Sequence, residues 1–349
     1  MGQNGSRAIF LFLAENYVRF YCRIFVLCYN KRIMKRKLIL SLIAVTLIVA
    51  AIFALSACNR NATPQGQLSN FLIDHAKEHF VYDVRIGIQT DDDVLFSQTE
   101  SLGTLTVDVK ACKSGDTIQC PDDITVNNKG VLIKSKLDIN YESKHIVYET
   151  ACYFNLVNGS SLMVPSYTYR IQKENDNETF RMTGNYQSST FYYEKKSATD
   201  EEPTSGSIKL SGTFFDNNEF HQSLRTVSTY STSFNMSFSL PLVSTTENQS
   251  VSLTASCNKT VDVKNDYTNS IDDYKDLGVE CYAVKISRST EVAGLNQMLY
   301  YAKDNLKAQN PTGFTMRNVL VEIREPIGTV EEGTQYVFYR LSTATIPND

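Results

Sequence analysis

The stretch at residues 131–140, VLIKSKLDIN, has the pattern that decides the fold. Apolar and polar side chains alternate along it, the apolar ones being Val131, Ile133, Leu137 and Ile139 and the polar ones Lys134, Lys136, Asp138 and Asn140. Alternation with one polar face is typical of an antiparallel strand that is wetted on one side. The same period recurs at Ile208, Leu210 and Phe214, and again over residues 319–323 and 337–341. The sequence therefore predicts a mainly β chain, built as a curved, open antiparallel sheet or as a sandwich.

Clusters of Asn, Asp and Gly separate these strands and predict tight hairpins. They lie at residues 90–93, 127–130, 174–177 and 216–218. The longest polar gap covers residues 195–206, which makes it the best candidate for a long loop or a sub-domain boundary.

Two segments show a helical period instead. Over residues 68–80, apolar side chains and histidines recur every three or four positions, as on one face of an amphipathic helix. A second such pattern runs from Leu295 to Leu306 and ends before Pro311. Within it, Leu299 and the two tyrosines that follow are also compatible with a strand. Together with the strands, an N-terminal amphipathic helix and one C-terminal helix predict a β-rich α+β fold class.

The charges of the chain are distributed unevenly. Of the 34 basic and 38 acidic side chains, residues 1–57 hold eight basic and one acidic, which leaves residues 58–349 with a net charge of −11. A basic, apolar head before an acidic body suggests a targeting segment and an exported domain. An acidic body argues against nucleic acid as a partner, because phosphate binding needs clustered Lys and Arg.

Residues 34–58 explain the basic head. A charged start, MKRK, precedes an apolar run that ends at Leu55, Ser56, Ala57 and Cys58. This pattern resembles the type II signal peptide and lipobox of bacterial lipoproteins. The resemblance implies cleavage between Ala57 and Cys58, diacylglycerol on the Cys58 sulfur, and stable anchoring on the extracytoplasmic face of the cell membrane. The alternative is an uncleaved transmembrane helix over residues 38–57, which is long enough to span a bilayer.

These features predict the domain organisation. Residues 1–33 carry no export pattern of their own and are interpreted as an over-extended gene start before Met34. Residues 34–57 are the signal peptide, residues 58–67 a lipidated tether, and residues 68–349 a β-rich extracytoplasmic domain. The order of elements over residues 68–220 also resembles the bacterial lipoprotein-carrier type of fold, in which a curved sheet wraps a helix and leaves an apolar cavity.

His75 and His79 are the weak candidates for a metal site, because histidines four apart on a helix can share a zinc ion. Ala76 stands where the zincin pattern has Glu, and the pair lies on the apolar stripe, so edge-of-core histidines are the favoured interpretation. A metal site would need His145, His221 or a distant carboxylate to join the pair.

The cysteines besides Cys58 in the mature chain are Cys112, Cys120, Cys152, Cys257 and Cys281. A disulfide between Cys112 and Cys120 would close a short loop, which an exported location permits. A reduced, buried pair is the alternative.

Catalytic and phosphate-binding motifs are absent from the mature sequence, which predicts a non-enzymatic protein without a cofactor. Aromatic runs at residues 167–169 and 191–193 favour packing in a β core, with an aromatic-lined groove as the alternative.

The function predicted from these observations is a membrane-anchored, non-catalytic lipoprotein that binds an apolar or cell-envelope ligand. The alternative is a protein-interaction or structural module of the envelope without a small-molecule site. A metal-dependent enzyme using His75 and His79 ranks third.

Overall fold

The fold was examined in a computed structural model, which describes residues 77–90, 93–96, 100–120, 122–156, 163–227, 230–264, 274, 277–288, 296–310, 313–331 and 333–347. The described residues are mainly antiparallel β, as predicted. The strands are β1 (Lys77–Thr90), β2 (Asp93–Phe96), β3 (Gly103–Cys112), β4 (Thr117–Cys120), β5 (Asp122–Thr125), β6 (Gly130–Tyr141), β7 (Lys144–Leu156), β8 (Met163–Glu174), β9 (Asn177–Gln187), β10 (Thr190–Ser197), β11 (Thr204–Lys209), β12 (Asn235–Val243), β13 (Asn248–Val263), β14 (Val279–Arg288), β15 (Gln297–Ala302), β16 (Leu306–Lys307), β17 (Thr315–Met316), β18 (Leu320–Val330) and β19 (Gly333–Thr345). One short helix, α1 (Phe220–Ser223), runs into a 3-10 turn at Leu224–Thr226.

A single curved sheet contains most of these strands. Its order is β11-β10-β9-β8-β7-β6-β3-β1-β19-β18-β15-β14-β13-β12, and β2 pairs with β1. The two ends of this order approach each other through the segment that follows β11. There, the Phe215 amide donates to the Ser239 carbonyl on β12, and the Ser239 amide donates to the Thr213 carbonyl. The sheet is therefore nearly closed, like a barrel, with its two ends connected by these hydrogen bonds at Ser239.

Strand β6 has the alternation that the sequence predicts. Val131 and Ile133 are fully buried on the inner face of the sheet, while Lys136 on the outer face is exposed. A two-residue turn joins β6 to β7, with positive φ angles at Glu142 and Ser143, which suits the twist of a hairpin.

The predicted turn at residues 174–177 is also confirmed. Asn175 and Asp176 have φ angles of 49° and 65° between β8 and β9, in the left-handed region that Asn and Asp tolerate. The cluster at residues 216–218 is not a hairpin turn. Asp216 is buried, and its segment lies against the inner face of the sheet.

The amphipathic helix predicted over residues 68–80 is wrong for its last four residues, which begin β1, and residues 68–76 lie outside the described part. Phe80, Tyr82 and Val84 are all fully buried along β1. Strands β3 and β19 flank β1 on its two sides, and this long-range pairing overrides the local helical period.

The C-terminal helix is wrong for Gln297–Ala302, where the alternative strand is confirmed as β15. Leu299, Tyr300 and Tyr301 are all buried, so both faces of this strand are covered. A strand covered on both faces has a continuous apolar run, and such a run does not distinguish a strand from a buried helix.

The polar gap at residues 195–206 forms a hairpin between the paired strands β10 and β11, and no long loop is present there. The described residues all belong to one compact unit. The sequence predicts one strand through Ile208, Leu210 and Phe214. Strand β11 ends at Lys209, and Phe214 forms an isolated bridge to Ser239.

Candidate functional site

A groove of about 580 Å³ lies on the outer face of the sheet. Its floor belongs to β1, β3 and β6, and its wall is the small β4–β5 hairpin, which lies over that face. The residues that line it are Lys77, Glu78, Asp108, Val109, Lys110, Thr117, Ile118, Gln119, Asp123, Leu132, Lys134 and Pro347. This volume is within the range of small-molecule sites.

Apolar contacts hold the hairpin in place. Ile118 and Val126 are buried against Cys112 and Leu132 of the outer face. At the base of the hairpin, the Lys113 amide donates to the Asp116 carboxylate over 2.8 Å. The wall of the groove is thus a packed element of the fold, with its own small core.

Three lysines from three neighbouring strands line the groove. In the register of β1 and β3, Lys77 lies opposite Lys110. In the register of β3 and β6, Lys134 lies opposite Asp108. Neither Lys110 nor Lys134 forms an ion pair with another residue in the described ranges. Asp123 of the hairpin and the outward-facing Asp108 supply the negative charge of the groove. The buried Ile118 of the wall and the buried Leu132 of the floor supply the apolar part of the groove.

His79 lies beside the groove, on the outer face of β1. Its Nδ1 is 2.7 Å from Oδ1 of Asp108, and this hydrogen bond raises the pKa of the imidazole above its ordinary value. Among the described histidines, the alternative of a metal site, for which His75 and His79 were the weak candidates, does not assemble. His145 instead contacts Asp138, and His221 contacts Gln297. The described residues contain no group of three or more His, Cys, Asp or Glu arranged for a metal ion, and His75 lies outside them.

The inner face of the sheet is filled by residues 216–227, which we call the inner segment. Its Arg225 is fully buried, with Nη1 2.8 Å from Oε2 of the fully buried Glu78 and the guanidinium over the Phe80 ring. The guanidinium also donates to the carbonyls of Arg317 and Asn318. Removing a charge pair from water is costly, and the ion pair together with these hydrogen bonds to the guanidinium is needed to offset that cost.

Two acids of the inner segment are also buried, and neither forms an ion pair with a described residue. Glu219 accepts hydrogen bonds from Ser135 Oγ (2.9 Å) and Thr150 Oγ1 (2.7 Å), and desolvation raises its pKa to about 8. Asp216 accepts from the Tyr186 hydroxyl (2.7 Å), and desolvation raises its pKa to about 6. The sequence analysis missed Glu219 and Arg225, because a charged residue in a polar stretch shows no sign that the stretch will be buried.

Cys112 is a free, buried thiol on β3 in this structure, which agrees with the alternative of reduced cysteines, and the possible disulfide with Cys120 stays a prediction. The thiols of Cys152, Cys257 and Cys281 are also free and buried. Burial raises the pKa of Cys281 well above its usual value, which makes this thiol a poor nucleophile.

The aromatic run at residues 191–193 is partly core, as favoured. Phe191 is buried and packs against the Tyr186 ring, which stacks on Phe214. Tyr192 points outward and is 45% exposed. The aromatic rings around Phe191 therefore fill the sheet interior and do not line a groove.

Residues 55–58 and the rest of the predicted signal peptide lie outside the described residues. In the part of the chain that is described, no helix has the length and apolar character needed to cross a membrane.

No known protein family matches the sequence. No curated protein matches it either. Among solved structures, the chain is similar to a β-barrel-like protein of a domain of unknown function, DUF1849, from Brucella abortus. The two are 8% identical, the match covers 78% of this chain and 99% of that one, and the TM-score is 0.41.

Proposed function

We propose that this protein is a non-catalytic lipoprotein, anchored through Cys58 on the extracytoplasmic face of a bacterial membrane, which binds an anionic amphiphile of the cell envelope in the groove beside the β4–β5 hairpin. The observation that carries the proposal is the combination of three lysines with the apolar Ile118 and Leu132 in this groove.

The charges favour an anion that also has an apolar part. Residues 58–349 have a net charge of −11, whereas in the groove three lysines, Lys77, Lys110 and Lys134, equal the acids Glu78, Asp108 and Asp123 in number. Glu78 pairs with Arg225 and Asp108 contacts His79, so the groove is less acidic than the rest of the domain. Lysine ammonium groups bind phosphate as point charges, and the buried Ile118 and Leu132 suit the adjoining hydrocarbon. A phosphate-bearing lipid meets both requirements.

The position of the groove also supports a lipid. Lys77 lines the groove and is nineteen positions after Cys58. A chain of that length reaches at most about 65 Å from the anchor, so the groove stays within reach of the membrane surface. An interfacial lysine near an anionic membrane contributes about 1 kcal/mol, or roughly a fivefold change in affinity.

The test uses the full chain, purified in a non-ionic detergent, with short-chain dihexanoyl phosphatidylglycerol as the probe. We expect binding that weakens as salt rises, and much weaker binding of dihexanoyl phosphatidylcholine. Lys110→Gln and Lys134→Gln should each reduce the affinity about fivefold. The matched control is Lys136→Gln, because Lys136 lies on the same face of β6 but pairs with Asp138 and does not line the groove.

The outcomes separate the candidates. Equal affinity for the two lipids, or an equal loss in the Lys136→Gln control, would refute the groove as the site. Binding of glycerol phosphate as tightly as the lipid would make the ligand a soluble phosphate. An absence of any binding would favour the protein-interaction module.

A further inference from the structure

A second, smaller cavity lies on the inner face of the sheet. It has a volume of about 110 Å³ and is bounded by the inner segment and by β3, β6, β7 and β18. The residues around it are Leu105, Val107, Ser135, Leu137, Tyr148, Thr150, Asn218, Glu219, His221, Gln222 and Ile323. The groove of the proposed function lies on the other face, so the inference that follows does not depend on that function.

The cavity has an apolar side and a polar side. Leu105, Leu137 and Ile323 form the apolar side, and residues of the inner segment form the polar side. Tyr148, at the rim, is 37% exposed, which places an opening to solvent beside the apolar side. Neither Lys nor Arg is among the described residues that line it.

Glu219 leaves one hydrogen available on the polar side. Its carboxyl makes two contacts, one with the Ser135 hydroxyl and one with the Thr150 hydroxyl. Because desolvation raises its pKa to about 8, the carboxyl is protonated at neutral pH. The protonated Glu219 carboxyl and the Ser135 and Thr150 hydroxyls together carry three O–H hydrogens, and their two contacts use only two of them. The third hydrogen is left to donate to a molecule in the cavity.

His221 supplies an acceptor. Its Nε2 lies 3.0 Å from Oε1 of Gln297, and an amide oxygen only accepts, so Nε2 carries the hydrogen. Burial lowers the pKa of His221 to about 4, so the ring is neutral and its Nδ1 accepts. One donor and one acceptor together match the hydrogen-bonding capacity of an alcohol.

Water alone fits this cavity poorly. A buried water usually makes about three hydrogen bonds and needs only roughly 10–15 Å³. Several waters would fit the volume, but those against Leu105 and Leu137 would have no partners there. A molecule with a hydroxyl at one end and carbon at the other satisfies both sides.

We propose that this cavity binds the hydroxyl end of an uncharged amphiphile, such as a primary alcohol or the glycerol part of a neutral lipid. The hydroxyl lies between Glu219 and His221, and the carbons lie against Leu105 and Leu137 and leave past Tyr148. An anion is disfavoured, because Glu219 lines the cavity while neither Lys nor Arg is among its described lining residues.

The test uses the full chain with 1-butanol as the probe, followed by ligand-observed NMR. We expect saturable binding of 1-butanol. Its isomer methyl propyl ether has the same atoms but no O–H, and it should bind about tenfold more weakly, the effect of one hydrogen bond. Butyrate and butylamine should also bind more weakly than the alcohol.

A substitution that fills the cavity with a larger side chain tests whether butanol binds there. Leu137→Phe should remove butanol binding, while Lys136→Gln, one position along and on the outer face, should leave it unchanged. If Leu137→Phe fails to fold, Leu105→Phe fills the cavity from the neighbouring strand. Undiminished binding in a folded filling variant, equal binding of the ether, tighter binding of butylamine, or no saturable binding of butanol would each overturn the proposal.

Discussion

The substitution Glu219→Gln should change how the stability of the protein depends on pH. Glu219 is 2% exposed and faces two hydroxyls and no cation in the described structure. A Gln side chain has the same shape as a protonated Glu and keeps partners for Ser135 and Thr150. It cannot ionise, so the variant removes one titration and little else.

The magnitude follows from the pKa of about 8 for Glu219 in the folded state against 4.5 in the unfolded state. This raised pKa stabilises the folded form fully below pH 4.5, and the contribution is lost as pH rises through 8. A difference of about 3.5 pKa units at 1.36 kcal/mol each corresponds to about 5 kcal/mol. A loss of that size is comparable with the whole stability of many domains.

Urea unfolding of both proteins from pH 4 to pH 9 provides the assay. We expect similar free energies of unfolding at pH 4, and a variant that is more stable than the wild type by about 5 kcal/mol at pH 9. Glu178→Gln is the control, because Glu178 forms an exposed ion pair with Arg181 and its variant should follow the wild-type curve within about 1 kcal/mol. A constant difference between Glu219→Gln and the wild type across this range would refute the reasoning.

Three further predictions concern other parts of the chain. Arg225→Met should lower the free energy of unfolding by about 3–5 kcal/mol in a urea titration, because Glu78 becomes an unpaired buried charge, and adding Glu78→Leu should restore most of it. Gly130→Ala should cost about 1–3 kcal/mol by the same measurement, since its Cβ would lie 2.1 Å from the Phe154 carbonyl oxygen; an unchanged midpoint would contradict the strand pairing. Cys58→Ala should abolish metabolic labelling with an alkyne fatty acid and block cleavage at that position, whereas a labelled variant would exclude Cys58 as the lipid site.

The class of the fold was predictable from local pattern. In β6 the apolar and polar residue types alternate, and in the folded chain Val131 and Ile133 on the inner face are fully buried while Lys136 on the outer face is exposed. The turn at Asn175 and Asp176 was predictable for a similar reason, since these residue types tolerate the left-handed backbone that a two-residue hairpin needs. In both cases the physical cause lies within a few residues of the pattern.

The failed predictions concern segments whose structure is decided by distant residues. Phe80 ends the predicted helical period and, together with Tyr82, also fits a strand; the choice depends on β3 and β19, the latter more than 200 residues away in sequence. In β15, Leu299 and Tyr300 are both buried, so the pattern has no polar face from which to read a period.

The sequence by itself determined the β class, the hairpins and, as a prediction, the lipid anchor at Cys58, because these depend on short-range periodicity and on one contiguous motif. Only the tertiary structure decided that Glu219 and Arg225 are buried, and that lysines from β1, β3 and β6 meet beside the β4–β5 hairpin. Burial and pKa are properties of the surroundings, and strands far apart in sequence supply those surroundings. A site assembled across a sheet therefore becomes visible only when the register of the strands is known.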